Sequence, residues 1–140
     1  MHKRSLISFT MQFKITHLLI ALVLFVIEIL VATTFSQVVF VRSFLGDYLV
    51  VMLLYHLVKA FRAISPLPLA VAVFIFSCLV EISQYFHLAD ALGAPRGGLV
   101  SILLGTNFSW TDIVMYLLGC ITSYLLDTLL LSKIRQVPVS

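Results

Sequence analysis

The sequence predicts an all-α integral membrane protein, a bundle of four transmembrane helices with both termini on the cytoplasmic side. Three observations carry this. Hydrophobic residues make up 61% of the 140-residue chain and charged residues 11%, whereas soluble domains are about a quarter charged. A soluble core of this size cannot hide so much apolar surface, so the surplus needs lipid as its solvent. The apolar residues also gather in four runs of the length, or nearly the length, that crosses a bilayer. Finally, the nine Lys and Arg residues fall into clusters between those runs, and such clusters set orientation.

The first run extends from Ile15 to Thr33. The second, Asp47 to Phe61, follows Gly46, which punctuates the chain before it. Pro66 and Pro68 mark where the second helix stops and the third, Leu67 to Phe86, begins. The fourth covers Thr111 to Leu131. One domain over residues 1–140 holds all four. The longest connection, His87 to Trp110, contains the apolar LVSILL (99–104), which lies at the interface or dips back into the membrane. The basic start and the apolar run from Leu18 to Ile27 also suit a cleaved signal peptide. However, apolar residues continue past Glu28 to Ala32 and VATTFS offers no A-x-A site, so a retained first span is expected.

Lys3, Arg4 and Lys14 precede the first span, Lys59 and Arg62 sit at the second-to-third turn, and Lys133 and Arg135 follow the fourth. Seven of the nine basic residues thus share one side of an alternating path, which the positive-inside rule assigns to the cytoplasm. Arg42 and Arg96 fall on the other side. The net charge of +3 comes without a basic patch interleaved with aromatics, so no nucleic-acid partner is expected. Cys78 and Cys120 lie inside apolar runs without CxxC spacing or a His cluster. They read as core fillers, and no metal or cofactor is expected.

On this topology the acids gather at the outer leaflet. Glu28 ends span one, Asp47 opens span two, Glu81 and Gln84 lie near the outer end of span three, and Asp112 opens span four. Both outer arginines, Arg42 and Arg96, can meet them there. A charged side chain well inside a membrane helix costs about 2.5–3.5 kcal/mol on insertion scales, so Glu81 and Gln84, one turn apart, are expected to face an outward-opening polar pocket. Asp112, Tyr116, Gly119 and Ser123 form one polar, small-residue stripe on span four, and Gly119-x-x-x-Ser123 permits close helix approach. His17, Ala21 and Glu28 share a face of span one.

Plainer readings stand beside these. Asp112 completes the capping-box pattern Ser109-Trp110-Thr111-Asp112, and Asp47 is equally placed to cap a helix; for both, capping and site membership weigh alike. Glu28 reads as snorkelling outward. Asp127 is expected to pair with Lys133 or to reach the headgroups. His17, His56 and His87 sit near predicted interfaces, and Trp110, Tyr85 and Tyr48 suit an aromatic belt. Glu81 is the hardest to excuse, since it caps nothing and lies deepest of the outer carboxylates.

The segments RSFLGDYLVVMLLY (42–55), EISQ (81–84), Arg96 and NFSWTDIVMYLLG (107–119) resemble a family of small bacterial inner-membrane proteins, the domain of unknown function 2809, over nearly the whole chain. The resemblance implies Arg42, Gly46, Asp47, Glu81, Gln84, Arg96, Asp112, Tyr116 and Gly119 as characteristic positions and adds no activity. The chain is also similar, more distantly, to VanZ-like proteins, which carry an E-x-x-Q, then an Arg, then an Asp opening a helix that runs to a Gly. Tyr116 stands where that pattern has an Asn. This second likeness implies an envelope-related site at the outer leaflet.

Three functions are open at this point. In the first, Arg42, Asp47, Glu81, Gln84, Arg96, Asp112 and Tyr116 bind a lipid or envelope-precursor headgroup. The arginines hold its anionic part, and Glu81 serves as base if a reaction occurs. The second is a small transporter or proton-coupled carrier, which with four helices requires a homo-oligomer. The third is a structural subunit whose partners are the lipid bilayer and other proteins, with the outer charges pairing only among themselves.

Overall fold

The computed structural model of the protein describes residues 2–35, 37–95, 97–98 and 107–130, with side chains from Lys14 to Leu129 among them. Arg96, Lys133 and the LVSILL segment lie outside the described residues. Helix α1 spans His2–Thr34, α2 Val39–Phe61, α3 Pro66–Tyr85, the short α4 Leu88–Ala91, and α5 Trp110–Leu125, which runs on into a π-helical turn, Leu126–Leu130. Four helical stretches among the described residues are long and apolar enough to cross a membrane: Lys14–Thr34, Val39–Phe61, Pro66–Tyr85 and Trp110–Leu129. The protein is an all-α bundle of four membrane-spanning helices.

Three of the four expected spans agree with these bounds to within two residues. The second does not, because α2 begins at Val39 rather than Asp47. A helix from Asp47 to Phe61 would rise only about 22 Å, short of the roughly 30 Å hydrocarbon core. The residues Arg42, Ser43, Gly46 and Asp47 read as a turn because they are polar or small, yet they supply the missing length as helix. Gly46 is therefore inside α2, and Asp47 lies two turns in and caps nothing. At the next junction the proline reading holds: Pro66 occupies the first position of α3, where its missing N–H is no loss.

Helix α2 is the centre of the bundle. Helices α1 and α5 pack along it, α3 packs mainly on α5, and α2 and α3 touch sparsely. Two apolar clusters fill the interior. One joins Val51 and Tyr55 of α2 to Leu69, Ala70 and Val73 of α3 and Tyr116 and Cys120 of α5. The other joins Leu24 and Val31 of α1 to Leu49 and Met52 of α2. Large apolar side chains also cover the outside: Leu22 and Phe25 on α1, Ile75 and Leu79 on α3, Leu117 and Ile121 on α5 are all exposed. Lipid is as apolar as these residues, so helix association rests on close packing and polar contacts.

The tightest contact is between α2 and α5. A Cβ placed on Gly119 would lie 2.6 Å from the Tyr48 carbonyl oxygen and would overlap the Val51 side chain. The hydroxyl of Tyr48 donates to Thr122 Oγ1 at 2.8 Å across the same seam. Tyr48 is thus an inter-helix tie instead of the belt residue expected, because its ring lies along α5. Trp110 and Tyr85 are exposed as expected and stack edge-on with Phe108 between them. His87 caps α4 in the left-handed region, φ 48° and ψ 42°, at the exposed surface.

Candidate functional site

The antiparallel path brings the end of α1, the start of α2, the end of α3 and the start of α5 to one end of the bundle. A cavity of about 650 Å³ opens there. Glu28, Arg42, Asp47, Gln84, Asp112 and Tyr116 supply its polar lining, while Val50, Val51, Leu54, Phe76 and Val80 make an apolar wall. Five of the seven residues expected at a site therefore line this cavity: Arg42, Asp47, Gln84, Asp112 and Tyr116. Arg96 falls outside the described residues, and Glu81 sits just behind the wall. Glu28, expected to snorkel outward, lines the cavity instead, because the face it shares with His17 and Ala21 is the face α1 turns to the bundle.

Glu81 is fully buried. Its Oε1 accepts the backbone N–H of Ser109 at 2.6 Å, and its Oε2 accepts the Tyr116 hydroxyl at 3.3 Å. Ser109 is the residue before α5, so the carboxylate of α3 fastens the start of α5. This answers why a span built for lipid holds a carboxylate at this depth. Both oxygens are engaged, so Glu81 acts on the cavity through Tyr116 and does not face it. Replacement tells the roles apart: Glu81→Gln keeps an acceptor for Ser109, whereas Glu81→Leu strands a buried N–H at about 1–3 kcal/mol. Thermal unfolding in detergent should therefore find the Leu variant well below wild type and the Gln variant close to it.

Asp47, Asp112 and Tyr116 line the same cavity, and Tyr116 donates to Glu81 behind it, so the three helices α2, α3 and α5 meet in one group of acids around a phenol. The capping role weighed for Asp112 is not what the geometry gives. Ser109 makes no side-chain cap bond; its hydroxyl meets Thr111 Oγ1 at 2.5 Å. Asp112 takes a long bond from Thr111, 3.3 Å, and lines the cavity.

A second polar group, at the opposite end, departs from expectation. Asp127 is buried and accepts Lys59 Nζ at 2.8 Å and the Tyr55 hydroxyl at 2.5 Å, both on Oδ2. Its Oδ1 lies 3.7 Å from His17 Nε2. His17 and His56 are themselves fully buried, with Nδ1 facing Nδ1 at 2.8 Å. So Asp127 pairs within the bundle with Lys59; Lys133, its expected partner, lies outside the described residues, and His17 and His56 face the interior of the bundle. The sequence held a signal for this: the Asp112–Tyr116–Gly119–Ser123 stripe, continued one turn by i+4, arrives at Asp127.

No group of three or more His, Cys, Asp or Glu among the described residues has metal-holding geometry, and Cys78 and Cys120 are free thiols. Fold and site together define a four-helix integral membrane protein with a carboxylate-rich cavity at one end and a buried ion pair at the other. Residues 36–120 match the family described as Protein of unknown function (DUF2809), and the chain belongs to that family. The match takes in α2, α3, α4 and the first part of α5, and leaves α1 outside. No curated protein and no solved structure matches the chain.

Proposed function

We propose that the cavity binds the polar headgroup of an amphipathic, lipid-borne molecule. The observation that carries this is a lining of two chemistries with access from the side. Phe76 and Val50 belong to the cavity wall, yet they are 56% and 38% exposed. They lie on α3 and α2, which touch sparsely. An acyl chain can thus lie between those helices while its headgroup meets the acids.

Charge narrows the headgroup. Glu28, Asp47 and Asp112 line the cavity against one described guanidinium, Arg42, so hydroxyl or amino donors suit it better than a purely anionic group. Arg42, exposed at the rim, is placed to hold a phosphate linker. Between this cavity and the Lys59 end lie Val51, Leu69, Ala70, Val73 and Cys120, buried and close-packed, which supports binding over permeation. The basic clusters flanking the spans support a reading in which the cavity end faces the extracytoplasmic leaflet of a bacterial inner membrane, where lipid-linked envelope precursors are met.

The test is retention of lipid through purification. Native mass spectrometry of wild type, Asp112→Asn and Arg42→Ala, extracted in parallel, should find bound lipid on wild type and about tenfold less on each variant, a difference of about 1.4 kcal/mol. Equal lipid occupancy on all three would remove the reading.

A further inference from the structure

We propose that His17 and His56 together form a proton-binding site, in which His56 Nε2 takes the proton and Asp127 sets the pair in its receptive form. The site lies at the end of the bundle away from the cavity and does not depend on what the cavity holds.

The argument starts from one distance. Two imidazole Nδ1 atoms 2.8 Å apart can share one proton only: with none they repel as lone pairs, and with two they collide. One ring must therefore donate from Nδ1 and the other accept there, and the two rings hold opposite tautomers. The charges around them decide which is which. His17 Nε2 lies 3.7 Å from Asp127 Oδ1, an ion-pair distance and not a hydrogen bond; the carboxylate's charge favours a proton on that nitrogen, so His17 carries its proton on Nε2 and accepts on Nδ1. His56 is then the Nδ1–H donor. Its Nε2 is left with a bare lone pair, buried and with no hydrogen-bond partner among the described residues.

That lone pair is what makes the group a binding site rather than a closed network. A proton arriving from solvent at His56 Nε2 forms an imidazolium without breaking the Nδ1–H···Nδ1 bond. No other bond need be made or lost. The charge is delivered through His17 to Asp127, in the way a carboxylate steadies an imidazolium through its far nitrogen. Among the described residues, Tyr55 and Lys59 from α2 and Asp127 from the turn after α5 face the pair. Asp127 is the one anion among them and already answers Lys59, so a proton on the pair gives it a second cation to hold. Uptake thereby tightens α1 against the end of α5. On the same face of α1, eleven residues further on, Glu28 lines the cavity.

The experiment uses the full chain in lipid nanodiscs with ring-¹⁵N histidine, assigned by His17→Gln, His56→Gln and His87→Gln. Before protonation the ¹⁵N shifts should report His17 as the Nε2–H tautomer and His56 as the Nδ1–H tautomer. As pH falls from about 8 to 3, through and below the ordinary imidazole range, the pair should take up one proton in one step, with the change at His56 Nε2. In Asp127→Asn the fixed tautomers should be lost to averaging. Matching tautomers on both rings, two separate one-proton steps, or no uptake by the pair over that range would each overturn the proposal. The wild-type spectrum decides the tautomers alone, so a variant that fails to fold does not leave the question open.

Discussion

Lys59→Met should lower the unfolding free energy by about 3–5 kcal/mol, because it leaves Asp127 as an uncompensated buried charge, and Asp127→Leu should also destabilise, because it removes the carboxylate that Lys59, Tyr55 and His17 all face. Lys59 and Asp127 are 4% and 5% exposed, and their 2.8 Å contact lies inside a stretch apolar enough to span the membrane. Both charges are enclosed by the bundle in this geometry. The double replacement Lys59→Met/Asp127→Leu removes both charges and keeps the volume, so it should recover most of the loss; a buried pair is often nearly neutral against apolar residues of the same shape. Recovery will fall short of complete, since the Tyr55 hydroxyl loses its 2.5 Å acceptor, at about 1–3 kcal/mol for a stranded donor. Thermal or denaturant unfolding of the four proteins in one detergent gives the cycle. Single variants as stable as wild type would mean that water reaches Asp127 and that the pair is not buried in the membrane.

The same residues mark where reading the sequence stopped. The four spans were legible because apolar runs of bilayer length have few other uses, and the Pro66–Pro68 junction because proline at a helix start has a fixed geometry. The cavity was largely legible too. Acids inside apolar runs are costly, and an alternating path can bring Glu28, Asp47, Gln84 and Asp112 together only at one end. What was not legible was which way each side chain turns. Depth along a span made His17, His56 and Asp127 look interfacial, whereas burial depends on the face of the helix as well as the distance from its end. The face was available for Asp127, one turn beyond Ser123, and for His17, in line with Ala21. Glu81 shows the complementary limit: its depth announced a role, but only the turn of chain at Ser109, distant by 28 positions, reveals that the role is to hold α5 in place. The start of α2 was obscured by composition, since Arg42, Ser43 and Asp47 look like a loop until they are seen lining a cavity on a helix.

Gly119→Leu should disrupt the bundle more than any other single change outside the ion pair, and even Gly119→Ala should be costly. In lipid there is no solvent-driven collapse to force helices together, so α2 and α5 hold by how closely their backbones approach. At Gly119 that approach leaves no room: an added Cβ meets the Tyr48 carbonyl oxygen at 2.6 Å and the Val51 side chain closer still. The Val51 methyl could rotate aside, but the carbonyl is backbone within α2 and can retreat only if the helices part. Overpacking of this kind costs about 1–3 kcal/mol for the smallest addition. Parting the helices also lengthens the 2.8 Å Tyr48–Thr122 bond and draws Tyr116, three residues before Gly119, away from Glu81. The loss should therefore appear twice, as a lower unfolding midpoint in detergent and as weaker lipid retention at the cavity. Gly46→Ala is the matched control. Gly46 also lines the cavity, but a Cβ there meets nothing within 4 Å, so helix propensity alone predicts a gain of up to about 1 kcal/mol. If Gly119→Ala and Gly46→Ala behave alike, the seam between α2 and α5 is looser than its geometry states, and the cavity it supports loses its rigid floor.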